Sequence, residues 1–286
     1  MRSISCAFAL LGAFALVLPA AGANAKPPAA AAEAPKAVPL PADAIKRLKS
    51  GDPGQIKSAL DDVRMSGKAG APAVPAIAEL LEKGLSPPLT VTAIETLGDT
   101  ESEGASEALS WYARHRTPSI RRAAVTALAR TRGAVAVKAL RAALSDSDPA
   151  VRGLSATGLG SMKAKDAVAD LFVALDHKVA EAAASIGQLC AGNECDKLAG
   201  KLGSVPFDIV TSGLDQVLFR PATDVSDDVK LKIVGRVREL GTGEANRFLK
   251  DVQNKWPKTW STRVKQSIDQ AVLATAASPG GTESVQ

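Results

Sequence analysis

The sequence is poor in aromatic side chains, which make up 3% of its 286 residues. A hydrophobic core therefore has to be assembled from Leu, Val, Ile and the abundant Ala, whose small side chains let helices approach closely. This composition favours an all-α protein. The net charge of +5 and the 23% of charged residues are ordinary values, so neither number by itself predicts a nucleic-acid partner.

Residue types that commonly carry chemistry are also scarce. The chain has two histidines, His115 and His177, and neither belongs to a His-Glu pair that would suit a metal ion. A glycine-rich phosphate loop, a nucleophile elbow and a Ser-His-Asp arrangement are not recognisable. The sequence therefore predicts no catalytic residue, no metal ligand, no cofactor and no enzymatic activity.

The first residues have the pattern of a signal peptide. Residues 1–25 combine a positive start, an uncharged apolar run over Cys6–Leu18 and a small-x-small motif that ends at Ala25. We expect cleavage after Ala25 and export to the periplasm or the medium. The uncharged stretch Ser3–Ala25 is also long enough for an uncleaved membrane anchor, which is the alternative.

Two further segments are expected to lie outside the packed fold. Residues 26–43 are rich in Pro and Ala and predict a semi-extended spacer, because proline lacks a backbone donor and resists helix formation. Residues 277–286 predict a disordered tail.

Export makes the cysteine count informative. Removal of Cys6 with the signal peptide leaves Cys190 and Cys195, an even number in an oxidising compartment. We predict a disulfide between them, which would staple the turn between two helices and stabilise the fold by about 2 kcal/mol. The alternative is two separate buried thiols. Their spacing suits neither a zinc site nor a redox-active pair.

A period of 31 residues organises the middle of the chain. Pro87, Pro118 and Pro149 share one register, and Leu97, Leu128 and Leu159 share another. A fixed period in this range indicates stacked copies of one unit of two helices, because a single copy cannot bury its apolar face. We predict an α-solenoid of about five to seven helix pairs with a helical C-terminal cap, in which the repeat array spans residues 44–203. The period fades in residues 204–276, where helical patterns predict further repeats or a C-terminal cap.

The best copies resemble the short HEAT repeat associated with phycobilisome lyases. The resemblance lies in Asp148-Pro149-Ala150-Val151-Arg152 with Leu159-Gly160, and in Pro118-Ser119-Ile120-Arg121 with Ala127-Leu128-Ala129. It implies an α-solenoid whose second helices line a concave binding face. It also implies a ladder of Asp and Arg side chains between neighbouring repeats, which Arg121, Asp148 and Arg152 would supply.

One stretch has a marked charge bias. No acidic residue lies between Glu107 and Asp146, whereas eight cations do: Arg114, Arg116, Arg121, Arg122, Arg130, Arg132, Lys138 and Arg141. Helical placement puts several of them on the concave side, near aromatic residues. The candidate partner-binding residues are Trp111, Arg114, Lys138, Arg141 and Phe172. The alternative is a solvated face with packing aromatics, which any Ala- and Leu-rich solenoid requires.

We therefore predict a non-enzymatic exported scaffold or adaptor that binds a protein partner through the curved surface of the solenoid. The alternative is an anion-binding module in which the surface from Arg114 to Arg141 takes nucleic acid, acidic polysaccharide or lipid headgroups. A weaker alternative is a lyase-like enzyme. Nucleic acid is not the expected partner of an exported chain, and membrane contact is expected only if the signal segment is retained. The oligomeric state is left open.

Overall fold

A computed structural model describes residues 38–276 of the chain. Over these residues the protein is helical and contains no β-strand, apart from one isolated bridge between Leu202 and Val205. Fifteen α-helices follow one another: α1 (Ala44–Leu48), α2 (Pro53–Ser66), α3 (Val74–Lys83), α4 (Pro87–Asp99), α5 (Ser106–Tyr112), α6 (Pro118–Thr131), α7 (Gly133–Ala143), α8 (Pro149–Ser161), α9 (Val168–Asp176), α10 (Glu181–Leu189), α11 (Asn193–Ala199), α12 (Phe207–Leu218), α13 (Asp227–Glu239), α14 (Gly243–Lys255) and α15 (Thr262–Ala276). Three short 3-10 segments precede second helices: Gly67–Ala73, Glu103–Ala105 and Lys165–Ala167.

The helices pack in two rows. The even-numbered helices from α2 to α14 are the first members of seven pairs within the described residues, and each packs against the next even-numbered helix. The odd-numbered helices from α3 to α15 are the second members, and contacts such as α5 with α7 and α11 with α13 continue along this row. The prediction of an all-α solenoid is confirmed.

The 31-residue period corresponds to one helix pair. Pro87, Pro118 and Pro149 begin α4, α6 and α8, where a missing N–H costs nothing because the first turn has no intrahelical acceptor for it. The apolar positions in register are fully buried in successive copies: Leu97, Leu128 and Leu159 in the first helices, and Leu109, Leu140 and Leu171 in the second. The same positions of successive helix pairs therefore supply the shared core.

Glycine and alanine allow the first helices to touch backbone to backbone. A Cβ placed at Gly187 of α10 would lie 2.1 Å from the carbonyl oxygen of Gly213 in α12. Between α4 and α6, a Cβ at Gly98 would lie 2.8 Å from Cα of Ala127. Such distances leave no room for a side chain, so the small residues set how closely the repeats stack.

The N-caps of two successive first helices, α6 and α8, differ. The carboxylate of Asp148 accepts hydrogen bonds from the backbone N–H groups of Ala150 and Val151, as expected of an N-cap residue. Thr117 also occupies an N-cap position, but its hydroxyl makes no capping bond. Its backbone N–H instead donates to Nδ1 of His115 at 3.0 Å.

The C-terminal part continues the same architecture although its sequence loses the period. Helices α12 and α13 form the sixth pair, and α14 and α15 the seventh, with α12 against α14 and α13 against α15. The last helix begins at Thr262 and ends at Ala276. The predicted signal peptide (1–25), most of the predicted spacer (26–37) and the predicted tail (277–286) lie outside the described residues.

Candidate partner-binding surface

The second helices form one face with three successive clefts, which we call the first, middle and third cleft. The first cleft, between α3 and α5, has a volume of about 530 Å³. The middle cleft, between α5 and α7, has about 640 Å³, and the third, between α7 and α9, about 410 Å³. These clefts are the intervals between adjacent second helices, so one extended ligand can cross several of them.

Trp111 is the most prominent side chain of this face. It is 70% exposed and contributes to the walls of both the first and the middle cleft. The guanidinium of Arg114 lies 5.5 Å from the centroid of its ring, an arrangement worth about 0.5–1 kcal/mol at an exposed site. A large aromatic side chain that leaves most of its area in water is a recognisable anchor for a partner.

Tyr112, the neighbour of Trp111, has a structural role. Its hydroxyl donates a hydrogen bond of 2.9 Å to the carbonyl of Leu81 at the end of α3, and its ring stacks on His115. Burial raises the pKa of Tyr112, and the negative charge of Glu82 raises it further. Tyr112 therefore fills the gap between two repeats, whereas Trp111 does not.

We call the segment between Glu107 and Asp146 the basic stretch. Carboxylates from neighbouring repeats neutralise half of its cations. Four of its eight cations form ion pairs across 25 to 31 residues of sequence. The pairs are Arg121 with Asp146, Arg122 with Asp148, Arg130 with Asp99 and Arg141 with Asp170. The charge bias of the sequence thus overstates the positive charge of the folded surface.

The other four cations are exposed and have no carboxylate within 4 Å in the part of the chain that the structure describes. Three of them, Arg114, Arg116 and Lys138, line the middle cleft. The fourth, Arg132, lies in the turn between α6 and α7 and does not line it. The structure therefore brings Trp111, Arg114 and Lys138 together, as the sequence suggested, and adds Arg116.

Two predicted partner-binding residues lie elsewhere. Phe172 is buried in α9, and the ammonium of Lys197 lies 4.3 Å from its ring centroid, so Phe172 cannot present its ring to a partner. Arg141 lines the third cleft, where its Nε donates to Asp170 at 2.5 Å. The assignment of Phe172 is corrected, because Lys197 of the following repeat covers its ring. Arg141 stays a predicted partner-binding residue, but at the third cleft and not beside Trp111.

The ladder between repeats includes two residues, Asp146 and Arg122, that the sequence analysis did not assign to it. Arg121 donates two hydrogen bonds, of 2.8 and 2.7 Å, to the carboxylate of Asp146 in the next repeat. Its third donor group reaches the carbonyls of His115 and Arg116 before its own helix. Burial raises the pKa of Asp146, but the bonds from Arg121 and from the backbone of Asp148 outweigh it and hold the pKa below its usual value.

Arg152 and Asp148 complete this arrangement. Arg152 donates to the carbonyls of Asp146 and Ser147, the positions that correspond to those bound by Arg121 one repeat earlier. Asp148 accepts from Arg122 at 2.5 and 3.1 Å, in addition to capping α8. The hydrogen bond from Arg122 is the main reason why the pKa of Asp148 falls to about 2. These residues link successive repeats, and Arg121, Asp146 and Arg152 also contribute to the walls of the middle or the third cleft.

A disulfide joins Cys190 and Cys195 across the short connection between α10 and α11. Both cysteines are fully buried. The carbonyl of Cys190 accepts a hydrogen bond of 2.6 Å from Arg220, which links this turn to the end of α12. The disulfide is therefore part of the packed array, and its cysteines line none of the three clefts.

A buried lysine lies among the C-terminal aromatic residues, which sequence reasoning did not foresee. Lys230 of α13 is 1% exposed, and its ammonium donates to the carbonyl of Arg220. The same group lies 4.6 Å from the ring centroid of Trp260 and 5.5 Å from that of Trp256. Burial lowers the pKa of Lys230. Trp256 and Trp260 also contact Phe219, so they pack against the C-terminal pairs.

Over residues 38–276, no cluster of His, Cys, Asp and Glu could hold a metal ion. None of the helices there combines the length and apolar character needed to cross a membrane.

Comparison with known proteins identifies the repeats. Residues 74–147 match the family model of HEAT repeats, so the resemblance noted in the sequence is confirmed for this stretch. No curated protein matches the chain.

Several solved structures are similar. The complex of CpcE and CpcF of phycocyanin lyase from Nostoc sp. PCC7120 aligns with 87% of this chain and 100% of its own, at 18% identity and a TM-score of 0.43. A designed armadillo repeat protein aligns over 82% of this chain and 98% of its own, at 15% identity and a TM-score of 0.40. An engineered protein aligns over 82% of this chain and 97% of its own, at 16% identity and a TM-score of 0.36.

Proposed function

We propose that this HEAT-repeat protein is an exported, non-enzymatic scaffold that binds a partner protein along the face formed by its second helices. The observation that carries the proposal is the exposure of Trp111 between two adjoining clefts. An aromatic ring left exposed to water does not stabilise a monomeric protein. Aromatic residues and arginine are, in contrast, enriched at protein interfaces. Val173, 57% exposed in the third cleft, extends the apolar surface along the same face.

A protein partner suits this face better than an anionic polymer does. Binding to a polyanion depends on a continuous run of free cations, but four of the eight cations of the basic stretch already have carboxylate partners. Glu82 and Glu107, which line the first and middle clefts, would repel a polyanion at both. A mixed surface of this kind favours a partner with both apolar and charged groups.

Photo-crosslinking from the middle cleft tests the proposal. Ala142 is exposed and lines this cleft, so a photoreactive amino acid at position 142 would contact any partner bound there. Met65, 72% exposed on the first helix α2, gives the control position. We expect a discrete crosslinked protein from position 142, its loss on adding Trp111→Ala, and no such product from position 65. Equal products from both positions, or a product that survives Trp111→Ala, would contradict the proposal.

Export is tested separately. Sequencing the N-terminus of the protein isolated from its native cells is expected to give Lys26 as the first residue, since we propose cleavage after Ala25. A chain recovered with its first 25 residues intact, and in the cytoplasmic fraction, would refute the proposed location.

A further inference from the structure

The three clefts occupy equivalent positions, each between two adjacent second helices, but they differ in charge. Glu82 is the one fully charged residue among those that line the first cleft. In the third cleft Arg141 pairs with Asp170, the carboxylate of Asp146 is taken by Arg121, and Arg152 is left with an excess of about one positive charge. The middle cleft has four cations, Arg114, Arg116, Arg121 and Lys138, against the carboxylates of Glu107 and Asp146. It therefore carries an excess of about two positive charges, more than either neighbouring cleft.

We propose that the middle cleft binds an extended acidic segment of the partner protein, with an apolar side chain of that segment packed on Trp111. This inference rests on the proposed function and adds the chemistry of the bound segment. Arg121 and Asp146 neutralise each other in a bidentate pair, so the free positive charge belongs to Arg114, Arg116 and Lys138. Carboxylates placed among these three groups would satisfy them without disturbing the ladder.

The dimensions of the face limit the length of the segment. Packed helices lie about 8–10 Å apart, so the distance from α3 across α5 to α7 is about 20 Å. An extended chain advances about 3.3 Å per residue, and about six residues therefore cover the first and middle clefts. Trp111 stands between these clefts. We expect the apolar side chain near the middle of the segment and the carboxylates on the side towards α7.

The charge of the first cleft argues for a short acidic motif rather than a uniform polyanion. Glu82 and Glu107 would repel phosphates or sulfates spaced regularly along a polymer. A peptide can avoid this repulsion because each of its positions can differ in charge. Its acidic residues can be confined to the middle cleft.

Peptide selection provides the test. A library of random ten-residue peptides, displayed on phage, would be selected on the mature chain and on the double variant Arg116→Gln/Lys138→Gln. We expect the chain to enrich peptides with two or more Asp or Glu beside a large apolar residue, and the double variant to lose this enrichment. Enrichment without acidic residues, the same peptides on both proteins, or no enrichment at all would overturn the inference.

Affinities of one selected peptide then place it in the cleft. By fluorescence anisotropy we expect Arg116→Gln and Lys138→Gln each to weaken binding by about two- to fivefold, the effect of one exposed charge pair. Glu107→Gln should strengthen binding by a similar factor. Lys250→Gln, which removes an exposed cation of α14 distant in sequence from the cleft, is the matched control and should leave the affinity unchanged. An equal loss with Lys250→Gln would show a non-specific charge effect and overturn the inference.

The two proposals can fail separately. If position 142 crosslinks a protein in a Trp111-dependent manner but peptide binding shows no dependence on charge, the scaffold function stands and the acidic segment is wrong. If heparin or a single-stranded oligonucleotide binds more tightly than the selected peptide and competes with it, the ligand is a polyanion and the inference is also wrong. Polyanion binding would be recognised by its steep decrease with salt.

Discussion

The close contact between α10 and α12 makes a strong test of the stacking geometry. Replacing Gly187 by Ala would place a Cβ 2.1 Å from the carbonyl oxygen of Gly213 and 2.9 Å from Cβ of Gln216. Carbon and oxygen normally approach no closer than about 3.3 Å. A flexible side chain could move aside, but the carbonyl belongs to the backbone of α12, so two helices would have to separate.

The expected change in the free energy of unfolding follows from two opposing effects. Ala in place of Gly within a helix contributes about 1 kcal/mol of stability. Overpacking costs about 1–3 kcal/mol, and a contact with helical backbone belongs at the upper end of this range. Gly187→Ala should therefore destabilise the fold by about 2 kcal/mol. Gly235→Ala in α13 is the matched control, because its Cβ would meet no atom within 4 Å. The stability of that variant should increase by about 0.5–1 kcal/mol.

Urea unfolding followed by far-UV circular dichroism measures both variants. We expect the transition of Gly187→Ala at a lower urea concentration than that of the unmodified chain, and the transition of Gly235→Ala at a higher one. If Gly187→Ala were as stable as the unmodified chain, the backbone contact between α10 and α12 would not exist as described. If both variants lost stability equally, helix propensity and steric contact could not be the reasons.

Two further predictions concern the disulfide and the ladder. The double variant Cys190→Ala/Cys195→Ala should lose about 2 kcal/mol of folding stability. Its urea midpoint should be lower than that of the unmodified chain and should no longer respond to reductant. An unchanged midpoint would contradict a stabilising disulfide. Asp148→Asn should lower stability at neutral pH because it removes the pair with Arg122. Since the pKa of Asp148 in the folded protein is about 2, below its ordinary value of 3.8, the carboxylate stabilises the fold above pH 3.8 and this contribution is lost as the pH falls towards 2. The difference between the two proteins should therefore shrink over that interval, and a constant difference down to pH 2 would refute the assignment.

Local signals explain why much of the array could be predicted. Pro149 and Asp148 mark the start of a helix through chemistry confined to one turn. Leu128 and Leu159 lie one period apart and are buried in equivalent places, because identical units stack identically. The C-terminal pairs were less evident: α12 to α15 keep the stacking geometry without keeping the residues of the repeat. Their packing depends on shape and apolar character, which several sequences can satisfy.

The proposed binding face was only partly predictable, because its properties arise between repeats. Trp111 and Lys138 were identified from helical position alone, and both line the middle cleft. Phe172 was assigned to the same surface but is buried beneath Lys197. That contact joins residues 25 positions apart, beyond the reach of any local pattern.

The amino-acid sequence by itself determined the all-α class, the 31-residue step and the leucines that face the core, because these follow from helical periodicity and from the need of each unit to bury one face. Tertiary structure alone decided which cations remain free. Arg121 and Arg141 find their carboxylates in the next repeat, whereas Arg114 and Lys138 line the middle cleft and have no such partner within the described residues. The physical reason is that ion pairing depends on distance in space, which stacking sets, and not on distance along the chain.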